Sequence, residues 1–372
     1  MLDLKKIRLE PEKVKTALFA RNVSCDIDFL LELDEKKRQL LQQSDELKNE
    51  RNDYNKQIGK ARKKAENEST ILQLTERIRQ TASRIEAIDN EVRLLNEKIF
   101  EILRMLPNLP AQTTPVGEAD CKSPVVRTYG TARVFPWEPK TYLELGSDLQ
   151  LCTELHTSDS PTLFYQKAGA TFKRALINFL LDSLLNVGYH ELACTKAKDV
   201  LEKYQNLILD ASSLPMLYCA EDATTEFRPL IVVNGFSTPE ASGKTLETMA
   251  ADMAELLHRL EIPCRISNVC SNKLDFEAAQ VLSVEVWIPG KQQFVEAVHL
   301  ANCTDYISRD LSIRYRTSSK EKPLNLHTLR GDFCIDMLIA SIWENLQIDD
   351  GNIAVPDCLQ KYTGQNIICK QC

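Results

Sequence analysis

Five basic residues, Lys56, Lys60, Arg62, Lys63 and Lys64, crowd into one short stretch of the chain. Groups packed that densely neutralise phosphates and release counterions from a nucleic-acid backbone. Their setting sharpens the reading. Residues 51 to 84 hold nine Lys/Arg and four Asp/Glu, a net of +5 in a chain of net charge −7, so everything else sums to −12. An acidic protein with one basic segment points to a phosphate contact on that segment. Two alternatives stay open: a solvated segment whose lysines only keep it in solution, and an arm that binds protein. The other residues with metal chemistry are the twelve cysteines, scattered singly except for Cys369-x-x-Cys372. Zinc needs four ligands and no second pair stands at a suitable spacing, so no metal is expected and the pair reads as a reduced tail. The remaining cysteines read as small buried hydrophobes. Neither GxGxxG nor GxxxxGK[ST] occurs, which leaves Rossmann and P-loop nucleotide sites without support.

The basic cluster sits in a helical context. Ile71, Leu74, Ile78, Thr81, Ile85, Ile88, Val92, Leu95, Ile99, Ile102 and Leu106 alternate steps of three and four without a break. That is a coiled-coil seam of about 50 Å at 1.5 Å per residue. Before it, Leu33, Leu40, Leu47, Tyr54 and Ala61 stand seven apart, with Lys37, Ser44, Arg51 and Ile58 as a mixed alternate row. The spacing predicts a helix out, a turn within Gly59 to Ser69 and a helix back, an αα-hairpin. Pro107 and Pro110 end the return helix.

The rest reads as a second domain. After a proline- and threonine-rich linker over 107 to 140, helices are expected at Thr171 to Asn186, Leu246 to Leu260 and Asp332 to Trp343. Strands are expected at Leu207 to Ile208, Met216 to Cys219, Leu230 to Val233, Arg265 to Val269, Val281 to Ile288 and Phe294 to Val298. Strands mixed with helices, without regular βαβ alternation, indicate an α+β fold. The domains are expected at 1–110 and 111–372. No apolar run reaches the ~18 residues of a membrane span, and Met1 to Arg8 do not read as a signal or transit segment, so the expected location is cytoplasmic.

Several runs, colinear from residue 1 to about 362, resemble seryl-tRNA synthetase, a class II aminoacyl-tRNA synthetase. They are Met1-Leu-Asp-Leu-Lys-Lys-Ile-Arg8, Leu31-Glu-Leu-Asp-Glu-Lys-Lys-Arg38, Leu106-Pro-Asn-Leu-Pro110, and Lys173-Arg-Ala-Leu-Ile-Asn178 with Gly188-Tyr-His-Glu191. Glu285-Val-Trp-Ile-Pro289, Leu326-His-Thr-Leu329, Glu344-Asn345 and Val355-Pro356 complete the series. The resemblance implies a coiled-coil arm that grips serine tRNA by shape and backbone. It also implies an antiparallel sheet flanked by helices that dimerises through the first class II motif, with itself or with an authentic synthetase.

The same resemblance implies that serine activation needs two arginines on ATP and carboxylates for magnesium, because charge on the phosphates must be neutralised by fixed groups. Where the third motif implies arginine this chain has Met337, after Asp336, and Arg330 is its last arginine. A carboxylate there would repel ATP. The second motif reads as mostly missing, since about 20 residues after Cys219-Ala-Glu221 do not hold two strands and a long loop. Phe227-Arg228 is followed by Pro229, so a strand start is preferred to a relic of the motif. Glu221, Glu296, Asn302 and Thr328 match positions of the serine and metal pocket, with His299 where serine is implied. Cys194 or Thr195 replaces the proline of the first motif. The expectation is a non-catalytic relative with no cofactor. The alternative is an active ligase with a rebuilt ATP site, using ATP and magnesium.

Overall fold

The computed structural model describes residues 1–63, 68–117, 121–156, 161–193, 199–222 and 230–370. The chain divides into two compact units, Met1–Pro107 and Asn108–Cys372. The first holds α1 (Leu4–Leu9), α2 (Pro11–Phe19), α3 (Ile27–Lys63) and α4 (Glu68–Met105). The second opens with β1 (Val125–Tyr129), α5 (Tyr142–Asp148), β2 (Cys152–His156), β3 (Pro161–Tyr165), α6 (Lys167–Asn186), β4 (His190–Glu191), α7 (Asp199–Glu202) and β5 (Ile208–Asp210). It continues with β6 (Met216–Asp222), β7 (Leu230–Ser237), α8 (Ser242–Arg259), β8 (Cys264–Asn268), β9 (Gln280–Ile288), β10 (Gln293–Thr304) and α9 (Tyr306–Asp310). It ends with β11 (Arg314–Arg316), β12 (Leu324–Asn325), β13 (His327–Cys334), α10 (Ile335–Asn345), β14 (Ile353–Ala354), α11 (Asp357–Thr363) and β15 (Ile367–Ile368).

The helical hairpin forms on the seam expected for it. On α4, Thr81, Ile85, Val92, Leu95 and Ile99 are buried. On α3 the inward row includes Ala61 and the polar Ser44, whose hydroxyl donates to Asp89 Oδ1 at 3.1 Å and so stays satisfied. Asp34, 1% exposed, is neutralised by Arg8 at 2.8 Å and Arg38 at 3.4 Å. The helices reach into the Gly59 to Ser69 stretch, whose residues 64–67 lie outside the described ones. Gly59 lies inside α3, with open space where a Cβ would be, and α4 resumes at Glu68. The helix continues past this glycine, at a cost of roughly 1 kcal/mol, and Ala61 beyond it is buried.

In the second unit eight strands form one sheet in the order β1-β8-β9-β10-β13-β7-β6-β4. Every neighbour is antiparallel except β4 on β6. Residues alternate between its faces. One face, with Ile231, Val233, Val284, Val298, Leu300, Leu329 and Phe333, joins a single core with α6, α8 and α10. Glu344 and Asn345 lock the end of α10 into it. The Glu344 carboxylate accepts from Tyr142 N at 2.9 Å and Gly290 N at 2.8 Å, and Asn345 Nδ2 donates to the Trp287 carbonyl at 2.9 Å.

Two expectations need correction. Asp332, Phe333 and Cys334 belong to β13, not to the final helix. Asp332 and Phe333 pair with both β7 and β10, and Cys334 pairs with β7. Both strands of the second motif also fit: β6 and β7 pair from Met216↔Phe236 to Asp222↔Leu230. What is short is the link, residues 223–229. Phe227, Arg228 and Pro229 lie outside the described residues, as do Lys64, Cys194, Thr195 and Cys372.

Candidate functional site

Alternation separates the residues that the sequence grouped into one pocket. His299 is opposite Asp332 on β13 and Ser283 on β9, whereas Asn302 is opposite Leu329. A bulge between Glu296 and Val298 brings Glu296 onto the His299 face. Glu221 pairs with Ile231, whose side chain enters the core, so it belongs to the other face, as Asn302 does. Asn302 Nδ2 donates to Ser242 Oγ at 3.1 Å, tying β10 to the start of α8.

The face that bears His299 is rich in carboxylates. His299 Nε2 lies 2.6 Å from Asp275 and Nδ1 lies 3.4 Å from Glu296. Burial opposes charge on this ring, but the hydrogen bonds to Asp275 and then Glu296 outweigh it and push the pKa up to about 10. His299 is therefore a cation at neutral pH. Burial likewise works against the charged Glu296, yet the hydrogen bond from His299 holds its carboxyl below the ordinary value. Asp332, opposite His299, is pushed up by burial first, with His299 pulling the other way. Among the described residues, two arginines on this face are engaged. Arg265 reaches Glu285 at 2.5 Å and stacks on Phe294 at 4.4 Å, and Arg330 pairs with Glu277.

Aromatic rings, unmarked by any motif, fill the next part of the same face. Phe236 is opposite Thr328 and fully buried. The Tyr204 ring packs edge-on against Phe236 at 4.9 Å, and its hydroxyl lies 2.5 Å from that of Tyr218. Thr328, cross-strand from Phe236, is 0% exposed, and its hydroxyl has no hydrogen-bond partner among the described residues.

Met337 sits in the first turn of α10, packed partly against the core. Its neighbour Asp336 accepts from Lys173 Nζ and from the Tyr165 hydroxyl, each at 3.0 Å. The expected repulsive carboxylate is thus a paired one. Among the described residues no group of three His, Cys, Asp or Glu could hold a metal ion, and no helix is long and apolar enough to cross a membrane.

In the first unit, Lys56, Lys60 and Arg62 are exposed on the last turns of α3, with Lys56 3.1 Å from Asp53. Lys63 ends that helix.

The comparisons with known proteins follow this architecture. Residues 1–110 match the seryl-tRNA synthetase N-terminal domain. A serine–tRNA ligase from Carboxydothermus hydrogenoformans is 30% identical, with all of both chains covered. The chain belongs to the serine–tRNA ligase family. That alignment spans 428 positions against a chain of 372 residues, so this chain is gapped against that relative, and the link between β6 and β7 holds only seven residues. Among solved structures, a seryl-tRNA synthetase from Pyrococcus horikoshii complexed with ATP superposes with a TM-score of 0.90 at 28% identity over 100% of both chains. The cytoplasmic serine–tRNA ligase of Naegleria fowleri in complex with AMP shares the fold, with a TM-score of 0.82 at 18% identity over 97% and 96% of the two chains.

The family's ATP is a demanding guest, since its phosphates need unpaired cations. The described residues of this chain do not fit it well. The first turn of α10 offers Met337 and an Asp336 already bound to Lys173, and the His299 face offers carboxylates and engaged arginines.

Proposed function

We propose that this serine–tRNA ligase family member no longer activates serine and acts in translation by binding. In this reading the α3–α4 arm takes the backbone of serine tRNA through Lys56, Lys60, Arg62, Lys63 and Lys64. The face around the first motif takes a second subunit, either a copy of this chain or an authentic synthetase.

The observation that carries the reading is the start of α10. A side chain on the first helical turn is well placed to meet a phosphate, and there Met337 brings no charge while Asp336 is held by Lys173. The burial of Thr328 beside Phe236 supports it, because a serine pocket lined by Thr328 would need that side chain accessible.

The test is serine-dependent ATP–pyrophosphate exchange with the full chain, alone and mixed with an authentic synthetase. No exchange by the chain alone is expected. Exchange that a Glu296→Ala substitution abolishes would sink the proposal in favour of an active ligase with a rebuilt ATP site.

A further inference from the structure

Cys121 and Cys270 stand 149 residues apart in the chain, yet their Sγ atoms are 3.0 Å apart. The surroundings make room for this meeting. Gly117 lies against both: a Cβ there would come 2.6 Å from Cys270 Cβ and 3.0 Å from Cys121 Cβ. A side chain at 117 would collide with Cys270 and crowd Cys121, so only glycine fits there without a shift. Hydrogen bonds to backbone carbonyls hold the same two runs together, with Ser271 N donating to the Pro115 carbonyl at 2.9 Å and the Lys273 side-chain Nζ to the Cys121 carbonyl at 2.9 Å. Cys270 is 0% exposed and Cys121 is partly exposed. The run that begins at Cys270 continues to Asp275 and Glu277, the partners of His299 and Arg330.

We propose that Cys121 and Cys270 are a reversible dithiol–disulfide site, closed by exchange with a small disulfide such as oxidised glutathione. A disulfide sulfur–sulfur bond is about 2.05 Å, so closure asks for roughly 1 Å of movement. Burial pushes the Cys270 thiol up, and solvent reaches Cys121, so Cys121 is the entering nucleophile. Its thiolate attacks one glutathione sulfur, the glutathione S–S bond breaks, and one glutathione thiolate leaves. Cys270 then attacks the Cys121 sulfur of the mixed disulfide and expels the second glutathione thiolate. The two protein thiol protons pass to the two glutathione thiolates. One oxidised glutathione is consumed and two reduced ones are released for each Cys121–Cys270 bond. Closure ties the run carrying Asp275 and Glu277 to the segment before β1, so the carboxylates on the His299 face are held by a covalent brace.

The test uses the full chain, reduced and then equilibrated in glutathione buffers of graded redox ratio. Remaining thiols are blocked with N-ethylmaleimide and the peptides mapped by mass spectrometry. The expected result is one crosslinked peptide, Cys121 to Cys270, appearing before any other cysteine is oxidised and lost again in excess reduced glutathione. Cys270→Ser should instead trap a single glutathione on Cys121. The unmodified chain decides the matter even where a variant folds poorly. A mixed disulfide that persists on Cys121, a crosslink to another cysteine, or two free thiols at the most oxidising ratio would overturn the proposal.

Discussion

Lys173 Nζ lies 3.0 Å from Asp336 Oδ1 and 4.3 Å from the centroid of the Tyr165 ring. One cation thereby joins α6 to the first turn of α10 over an aromatic face. Both charged side chains are largely shielded, at 16% and 23% exposed, so the pair is worth more than an exposed one. Lys173→Met should lower the unfolding free energy by about 1–3 kcal/mol, because it strands the Asp336 carboxylate. The double variant Lys173→Met/Asp336→Leu should recover much of that loss. Urea denaturation of the two variants checks this, and equal losses in both would show that the pair is unimportant.

The His299 cluster predicts a pH dependence with a definite sign. Its folded pKa, raised to about 10, exceeds the ordinary histidine value. The stability it contributes is complete below about pH 6.5 and is lost as the pH rises through 10. Glu296 is depressed, so its contribution is present above its ordinary value and fades on acidification. Melting temperature should therefore fall between about pH 7 and 10, and His299→Asn should flatten that fall while costing roughly 1–2 kcal/mol at pH 7. An alkaline limb unchanged in His299→Asn would contradict a protonated imidazole.

The arm contains one seam position to improve. Thr81 is 6% exposed in a row of isoleucine, valine and leucine. Thr81→Val keeps the shape and removes a hydroxyl from the seam, and should stabilise the hairpin by about 0.5–1 kcal/mol. Far-UV circular dichroism melts read the effect; a lower melting point would mean that the hydroxyl has a structural partner.

The tRNA proposal makes a salt prediction. Replacing Lys60, Arg62, Lys63 and Lys64 with alanine should weaken serine tRNA binding at least tenfold. The log–log salt slope should fall by roughly 0.7–0.9 for each phosphate that is no longer neutralised. Gel shifts at several salt concentrations, with an unrelated RNA beside serine tRNA, measure both. An unchanged slope would remove the tip of the arm from the interface.

How far the chain could be read before its structure depended on the range of the pattern. The arm was legible because each seam residue is three or four from the next, and even polar Ser44 kept its place in the row. The sheet was harder. β13 is not legible in the sequence because Phe333 fits a helix as well as a strand, and only its pairing with β7 and β10 decides between them. The pocket grouping of Glu296, His299, Asn302 and Thr328 came from resemblance, and no local pattern shows which face each residue takes. Tyr204 against Phe236, and Cys121 against Cys270, are meetings across long stretches of chain that spacing cannot register. The family resemblance did reach the architecture, with its arm and sheet flanked by helices, and Glu344 and Asn345, which carry part of that resemblance, brace the end of α10.

The bulge between Glu296 and Val298 is the smallest of these features and has wide reach. It offsets the strand by a single residue, and everything beyond it on β10 inherits that offset. Deleting Ala297 there would leave Glu296 and Val298 adjacent, opposite Glu285 and Val284, in a regular ladder where His299 keeps its face and Val298 and Leu300 stay in the core. A variant shortened by that one amino acid would keep its inside and outside, whereas losing a residue from the regularly paired part of β10 would turn the rest of the strand over, so the bulge is a place where this surface tolerates a change in the count of residues.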